Sequence, residues 1–396
     1  MLQFWIWLSL RKHIRSRALL DLLERFGNPS AIYLADRITL ESVPGLKDAE
    51  IEELMDKDMR VVDQILLDCD NRRISILTYG DVSYPDRLRY IPSPPVVLYY
   101  EGVLPIVDSE PMIGIVGKRK ATAYGLQQAK RFGYQLSRSG FIVVSGAAKG
   151  IDRLALEGAL SGGRPVIGVL GNGTDVVYPR ENKRLYEDIR SRGCLISEYP
   201  PGSKPLAEHF PIRNRLISGL SLGTLVIEAD LHSGAMRTAR HAFEQGRDVF
   251  AIPGCIGMPT FEGNHQLIKE NAYLVDSSMD FVQMYRQAYP SVTDYEPGVF
   301  GNSPVETAVL TNSVDKKSID KQNTTNYIDI STALSNASDD EAAILKYLAN
   351  GEAYVDDLIE AVQLTPSSVL AAITTLEIRK LVRRRPGNRF ALYEAE

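Results

Sequence analysis

Apolar and polar positions alternate in different ways along the chain, and the first 70 residues have helical spacing. In the stretch RALLDLLERFG, Leu19, Leu22 and Phe26 fall on one face of a predicted helix that ends at Gly27. A short SVPGL turn then joins two further predicted helices. Residues 1–70 are therefore predicted to form a helical module of the SAM or helix-hairpin-helix kind.

Residues 71–288 have a different pattern, in which apolar runs alternate with helical segments. The runs are MIGIVG, FIVVSG, PVIGVLG, CLISEY, TLVIEA and DVFAIPG, and YGLQQAKRFGYQLSRSG is one of the helical segments between them. Continuous apolar runs are typical of strands buried on both faces, and their alternation with helices indicates βαβ units. The predicted fold class is α/β, a Rossmann-like, doubly wound and mostly parallel sheet. Residues 72–105, rich in proline and tyrosine, are expected to precede it as irregular chain with short strands.

The last hundred residues divide into two regions. Residues 289–337 are rich in Ser, Thr and Asn without periodicity, which predicts a flexible linker. Residues 338–396 read as three helices and a two-stranded hairpin, the order of a winged helix. The third predicted helix, 364–378, has no Lys or Arg. This disfavours reading of a DNA groove and favours a module that touches phosphates or docks a protein.

Charge and cysteine content restrict the function classes. The chain of 396 residues has a formal net charge of -5, so nucleic-acid binding requires a local basic patch. Such a patch is present between Pro111 and Ile151, where seven basic residues occur without any acidic one. The cysteines, Cys69, Cys194 and Cys255, lack CxxC spacing, which disfavours disulfides and metal sites and fits a reducing cytoplasm. No cofactor is expected. No apolar stretch approaches the roughly 20 residues that span a bilayer, so no membrane association is expected.

Several predicted strands end in glycine followed by a polar or basic loop. These loops are VGKRKATAYG, SGAAKGID and GNGTDVVYPREN. In an open α/β sheet they lie at the carboxyl ends of the strands, where helix starts offer free N–H groups to anions. The expected phosphate-loop glycines are Gly117, Gly146, Gly171 and Gly173, and the accompanying cations are Lys118, Arg119, Lys149, Arg180 and Lys183. A P-loop and a GxGxxG dinucleotide motif are absent from the sequence.

The stretch FPIRNRLISGL completes the candidate site. Phe210 can stack a base, Arg213 and Arg215 can fork onto phosphate oxygens, and Asn214 can bond a base edge or hold a loop. The alternative is structural: Phe210 lies in the core and one arginine pairs with Glu198 or Glu228.

Catalytic patterns are weak. The five histidines show no metal-ligand spacing, and Ser145 lacks the GxSxG context of a nucleophile elbow. Four further polar residues can gather near the strand ends: Glu198, Glu228, Asp230 and His232. Acid/base catalysis by two carboxylates is possible there, but the favoured role of these carboxylates is to orient arginine side chains. The chain is therefore predicted not to be an enzyme.

In this order the motifs resemble the DNA-processing protein A family (DprA, also called Smf). The matching segments include IVGKRKATAYG, VVSGAAKGID, VLGNGTDVVYPREN, FPIRNRLISGLS and VIEADLHSGAMRTARHAFEQGRDVFAIPG. The resemblance implies a homodimeric core that binds single-stranded DNA and helps to load a RecA-type recombinase in natural transformation. It also implies DNA contacts from Arg119, from Arg180 or Lys183, and from Phe210 and the triplet at 213–215.

The sequence departs from the family pattern at three positions. Lys118 replaces a small hydroxyl residue, Leu156 replaces a histidine and Asn271 replaces a glycine. Two other functions remain as alternatives. One is a phosphoribohydrolase on the same fold, for which SLGTLVIEA is a partial echo of the PGGxGTxxE signature, and the other is a winged-helix transcription regulator with a ligand-sensing core.

Overall fold

The computed structural model describes residues 1–295, 337–348, 353–362, 364–379, 381–385 and 389–392. The chain divides into two compact units, Met1–Gly301 and Asn302–Glu396, and each is considered separately. Among the described residues, no helix combines the length and apolar character required to cross a membrane.

The first unit begins with six helices, as the amphipathic pattern predicted. They are α1 (Leu2–Ser9), α2 (Ser16–Phe26), α3 (Pro29–Leu34), α4 (Arg37–Glu41), α5 (Asp48–Met55) and α6 (Arg60–Arg72). Helix α2 ends at Gly27, whose φ of 76° is left-handed backbone that glycine adopts without strain. These helices share a hydrophobic cluster with Val97 and Tyr99, so they pack directly on the edge of the following sheet.

The SVPGL turn joins α4 to α5, but the start of α5 is already occupied. The Glu50 carboxylate accepts hydrogen bonds from the backbone N–H groups of Lys47 (2.9 Å) and Arg15 (3.0 Å) and from the Arg15 side chain (2.9 Å). The Arg15 side chain, aided by these backbone bonds, lowers the pKa of Glu50 to about 2, although burial opposes the shift. Helix starts can bind phosphates through free backbone N–H groups, but here the buried Glu50 carboxylate already pairs with the N–H of Lys47 at the start of α5.

The sheet has nine strands and follows the predicted alternation. The extension supplies β1 (Ser75–Thr78), α7 (Asp86–Arg89) and β2 (Val97–Gly102). The core continues with β3 (Met112–Val116), α8 (Ala123–Arg138), β4 (Ile142–Ser145), α9 (Ile151–Gly162), β5 (Val166–Leu170), α10 (Lys183–Arg192), β6 (Cys194–Ser197), α11 (His209–Leu220), β7 (Gly223–Val226), α12 (Gly234–Glu244), β8 (Asp248–Ala251), α13 (Glu262–Lys269), β9 (Tyr273–Leu274) and α14 (Met279–Tyr285).

The strand order is β1-β2-β6-β5-β4-β3-β7-β8-β9. Strands β3 to β9 are parallel, whereas β2 pairs antiparallel with β6 and with β1. The chain winds outward in one direction from β3 to β6 and in the other from β7 to β9. The crevice between the ends of β3 and β7 is thus the topological switch point, where open α/β sheets bind ligands.

Alternate residues of the central strands face two hydrophobic cores. Ile113 and Ile115 pack with helices α8, α9, α10 and α14, whereas Met112 and Val116 pack with α7, α11, α12 and α13. The sheet is therefore covered by helices on both faces, as the continuous apolar runs predicted.

The predicted linker starts too early. Val292 is buried, the Thr293 N–H donates to the Ser139 carbonyl (3.1 Å), and the Tyr295 ring packs edge-on against Tyr134. Residues 289–295 belong to the first unit because apolar side chains in a polar stretch pack against α8. The remainder of the predicted linker, 296–336, lies outside the described residues.

The second unit contains the predicted three helices and hairpin. They are α15 (Asp339–Leu348), α16 (Val355–Val362), α17 (Pro366–Ile378), β11 (Val382–Arg385) and β12 (Arg389–Leu392). A short strand β10 (Ala353–Tyr354), which the sequence analysis missed, pairs with β12 and completes a three-stranded sheet. This is the order of elements of a winged helix.

Candidate nucleic-acid interface

Two cavities open at the carboxyl ends of the strands, and Phe210 and Arg119 line both. The smaller has a volume of about 70 Å³ and the larger about 370 Å³. The larger lies at the switch point, because Val116 at the end of β3 and Asp230 after β7 both line it. The sheet topology therefore places the predicted loops around one groove divided by one aromatic side chain.

Phe210 lies in the first turn of α11 and is half-buried. The Arg119 guanidinium lies 5.3 Å from the centre of its ring, and the Tyr178 ring lies 5.5 Å away. Arg119 is exposed and forms no ion pair with any residue of the described ranges. This cation and this partly open aromatic ring therefore share one rim.

Arg213 has a different position from the one predicted. Its side chain is buried, with the residue only 3% exposed, and its Nη1 donates to the carbonyls of Gly146 (2.8 Å) and Val169. Burial lowers the pKa of Arg213, and the negative charge of Asp152 opposes this effect. The guanidinium thus holds the ends of β4 and β5 together under Phe210 and is not free to fork onto phosphates.

Arg215 also departs from the prediction. It donates to Glu198 (2.8 Å) and to the Ser93 carbonyl (2.8 Å), and it lines a separate cavity beside the N-terminal helices. The structural alternative considered from the sequence, an arginine paired with Glu198, is confirmed for this residue. Asn214 does line the larger cavity, and its Nδ2 donates to the Gly234 carbonyl (3.3 Å), which ties α11 to α12.

The remaining cations fall into paired and unpaired groups. Lys118 pairs with Asp230 (2.8 Å) and Lys149 pairs with Glu181. The second pair is exposed, and such pairs contribute only about 0–1 kcal/mol, so a phosphate can displace the carboxylate. Arg180 and Lys183 are exposed without an ion pair to any described residue, but they lie beyond the linings of both cavities.

The predicted phosphate-loop glycines are required by internal packing. A Cβ at Gly146 would lie 2.6 Å from both Arg213 and Asp152, and one at Gly117 would lie 2.6 Å from Ile151. A Cβ at Gly171 would press on Phe210 at 3.1 Å, and one at Gly173 would press on neighbouring backbone and side-chain atoms. The first three glycines line the groove, whereas Gly173 does not. Glycine at these four positions allows the loops to pack closely around the groove.

The candidate catalytic groups have structural partners. Glu228 is fully buried and accepts from the N–H and hydroxyl of Thr122 at the start of α8. The Ser145 hydroxyl donates to the Ile115 carbonyl (2.6 Å). No cluster of His, Cys, Asp and Glu suited to a metal ion occurs within the described ranges.

Two charged residues that line the groove, Asp152 and Arg237, were not predicted from the sequence. Asp152, in the first turn of α9, is buried next to Arg213, and burial raises its pKa to about 6 although Arg213 opposes the shift. Its place in SGAAKGID, directly after a glycine loop, was the available signal. Arg237, three residues into α12, lines the larger cavity.

Comparison with known proteins agrees with this fold. The model of the DNA recombination-mediator protein A family matches residues 75–286, and the DprA winged helix domain matches residues 331–388. Protein Smf of Synechocystis is 32% identical over 98% of both chains, and DNA processing protein DprA of Streptococcus pneumoniae is 44% identical over 50% of this chain and 70% of that protein.

Solved structures give the same result. The structure of DprA from S. pneumoniae superposes with a TM-score of 0.62 at 33% identity, covering 71% of this chain and 97% of that one. DprA from Helicobacter pylori, whose structure is described for its single-stranded DNA binding mode, superposes with a TM-score of 0.50 at 29% identity, covering 55% of this chain and 97% of that one. The chain belongs to the DNA recombination-mediator protein A family, DprA/Smf.

Proposed function

We propose that this chain binds single-stranded DNA in the groove divided by Phe210, with little preference for sequence. The observation that carries the proposal is the placement of an exposed, unpaired guanidinium, Arg119, 5.3 Å from the half-buried ring of Phe210 at the rim of both cavities. An aromatic ring stacks any base, because every base has a π-face, and a guanidinium binds phosphate bidentately. The single-stranded DNA binding mode described for the H. pylori relative supports the same reading.

The role of each predicted cation follows from its pairing. Arg119 provides the principal phosphate contact, and Lys149 joins it by exchanging Glu181 for phosphate. Arg180 and Lys183 extend the positive surface beyond the smaller cavity. Arg213 supports the floor of the groove from within. Lys118 is held by Asp230 and therefore adds little net charge to the groove.

The test measures binding of labelled oligo-dT by fluorescence anisotropy over a range of salt concentrations. The Arg119→Ala variant should weaken binding and flatten the log-log salt slope by about 0.7, the value for one phosphate contact on a single strand. Arg131→Ala removes the same charge from an exposed position of α8 outside both cavities and should leave the slope unchanged. Equal effects of the two variants would refute DNA binding in this groove.

We propose binding without catalysis. Of the groups that could act as acid, base or nucleophile, Glu228 and Ser145 are engaged in the interior, Glu198 pairs with Arg215 and Asp230 pairs with Lys118. Incubation with nucleoside monophosphates is expected to yield no free base, whereas release of base would favour the phosphoribohydrolase alternative. A preference for duplex over single-stranded DNA in a gel shift would favour the transcription-regulator alternative.

We also propose a RecA-type recombinase and a second copy of this chain as partners. Membership of a family named for recombination mediation supports the first. The test compares recombinase filament formation on DNA coated by a single-strand-binding protein, with and without this chain, and light scattering measures the oligomeric state. The three cysteines, all free, support action in a reducing cytoplasm.

A further inference from the structure

One part of the larger cavity is lined by the first turn of α12, to which the binding mode above assigns nothing. Ser233, Gly234 and Arg237 line the cavity together with Arg119 and Phe210. The cavity volume of about 370 Å³ lies within the range of small-molecule clefts, about 300–1,000 Å³. The cavity therefore has room for a group that the contacts at Phe210 and Arg119 do not fill.

The start of α12 carries a positive charge, which is unfavourable at the N-terminus of an isolated helix. Its N-cap residue, Ser233, makes no side-chain capping bond, and its hydroxyl oxygen is shielded from solvent without a hydrogen-bond partner among the described residues. The first turn contains no acidic residue and instead carries Arg237. A cation at a helix N-terminus is unfavourable because the helix dipole is positive there. Asp230 lines the same cavity but pairs with Lys118 (2.8 Å), and Arg237 has no ion pair among the described residues, so the helix start is open to an anion.

The side chains around this helix start leave the space open. Arg237 is exposed and has no ion pair within the described part of the chain. A Cβ built on Gly234 meets no atom of the described residues within 4 Å, so the space beside this glycine is open. The bond from Asn214 to the Gly234 carbonyl fixes this turn relative to α11, which carries Phe210. The position is thus rigid and accessible, and it carries one free positive charge.

We propose that the first turn of α12, with Arg237, binds a backbone phosphate of the same DNA strand on the far side of Phe210. The strand then runs from the smaller cavity, past the aromatic ring, into the larger cavity and ends its contact at α12. This inference rests on the proposed function, because the ligand is the single-stranded DNA proposed there. It adds a second phosphate site to the one at Arg119.

The test compares Arg237→Ala and Arg237→Glu with Arg240→Glu in the full chain, using oligo-dT anisotropy at several salt concentrations. Arg240 is exposed one turn further along α12 and lines neither cavity. Arg237→Ala should weaken binding about tenfold at low salt and flatten the salt slope by about 0.7. Arg237→Glu should weaken binding further, whereas Arg240→Glu should cause a much smaller change. Equal losses in the two Glu variants would overturn the site.

A second variant separates binding from folding. Gly234→Glu places a carboxylate in the open space at the helix start, where it complements the dipole. We expect the melting temperature to stay the same or rise while affinity for oligo-dT falls at least as much as in Arg237→Ala. A purely structural role would move stability and binding in the same direction. Unchanged affinity in Gly234→Glu would overturn the inference.

The two proposals fail in different ways. If Arg119→Ala loses affinity and Arg237→Ala keeps both affinity and salt slope, the α12 site is refuted and the groove at Phe210 stands. If the wild-type chain does not bind oligo-dT at all, both are refuted.

Discussion

The guanidinium of Arg119 lies 5.3 Å from the centre of the Phe210 ring, at the rim that divides the two cavities of the groove. In the free protein this exposed cation covers part of the ring. A base can take that place while the guanidinium turns to the adjacent phosphate, because neither side chain is committed to a partner that must be broken at high cost. The pair thus explains how a protein with a net charge of -5 can hold a polyanion locally.

The aromatic contribution can be tested separately from the charge. Phe210→Leu keeps apolar volume against Gly171 but removes the π-face. We expect affinity for oligo-dT to fall by about 1–3 kcal/mol, the value of one stacked base, with no change in salt slope because no charge is lost. Phe210→Tyr, which retains the ring, should bind nearly as well as the wild type. A flattened salt slope in the Leu variant would show that Phe210 acts by placing cations.

Substitution of Arg213 should reduce the stability of the protein, whereas substitution of Arg119 should leave the stability almost unchanged. Arg213→Ala leaves the carbonyls of Gly146 and Val169 without their donor and Asp152 without a neighbouring positive charge. Loss of one member of a buried charged network costs about 3–5 kcal/mol, so the denaturant midpoint should fall sharply. Arg119→Ala, at an exposed position, should change stability by no more than about 0.5 kcal/mol.

Arg213→Lys is the control for charge. It keeps a positive charge, but its ammonium lies one atom closer to the backbone than Nη1 and reaches the two carbonyls less well, so it should also be destabilised, to a smaller extent. A variant Arg213→Ala with normal stability and lost DNA binding would instead return this residue to the direct phosphate contacts.

The contrast between the two arginines of the RNR triplet shows what the sequence analysis overlooked. Consecutive helical residues advance by about 100°, so Arg213 and Arg215 point about 200° apart. They cannot both face one groove. Leu216 and Ile217, which follow the triplet in the same helix, belong to the hydrophobic core on one face of the sheet. The sequence shows that the two arginines are neighbours of Phe210, but the depth of each arginine depends on the loops that close over it.

The parallel strands β3 to β8 were predictable because they are buried on both faces and therefore read as apolar runs, whereas the short, exposed strand β9 gave no such run. The addition of β1 and β2 was not predictable, since the pairing of Tyr100 with Ile196 joins a proline-rich segment to a strand about a hundred residues away. The polar composition around Val292 likewise hid its packing on α8. Asn271, where the family usually has glycine, has a φ of 71°, so the left-handed backbone accounts for that preference.

The N-terminal helices should be sensitive to acid through Glu50. Folding lowers the pKa of this carboxyl from 4.5 to about 2, so the native state favours the ionised form. Its contribution is present above pH 4.5 and is lost as pH falls towards 2, and it amounts to about 1–2 kcal/mol because Arg15 is half-exposed. At pH 7, Glu50→Gln should have a lower free energy of unfolding than the wild type. This difference should disappear as the pH falls towards 2. A deficit that is constant with pH would contradict the pairing with Arg15.

Asp152 should show the opposite pH dependence. Burial raises its pKa from 3.8 to about 6 despite Arg213, so between these values the folded state holds a proton that the unfolded state has released. By linkage, stability falls as pH rises through this window, by an amount on the order of 2–3 kcal/mol. We expect the free energy of unfolding of Asp152→Asn, relative to that of the wild type, to increase from pH 4 to pH 7. Urea denaturation at each pH measures both values.

The Asp152→Asn variant also changes the charge balance at Arg213, which shifts its stability at every pH. The pH-dependent difference between the two proteins is therefore the informative quantity. Because the Asp152 carboxylate lies beneath Gly146, at the floor of the groove, its ionisation adds a negative charge close to the proposed phosphate path. Affinity of the wild type for oligo-dT should weaken from pH 5 to pH 7 more than that of Asp152→Asn. Parallel pH profiles in the two proteins would contradict an effect of Asp152 ionisation on DNA binding between pH 5 and pH 7.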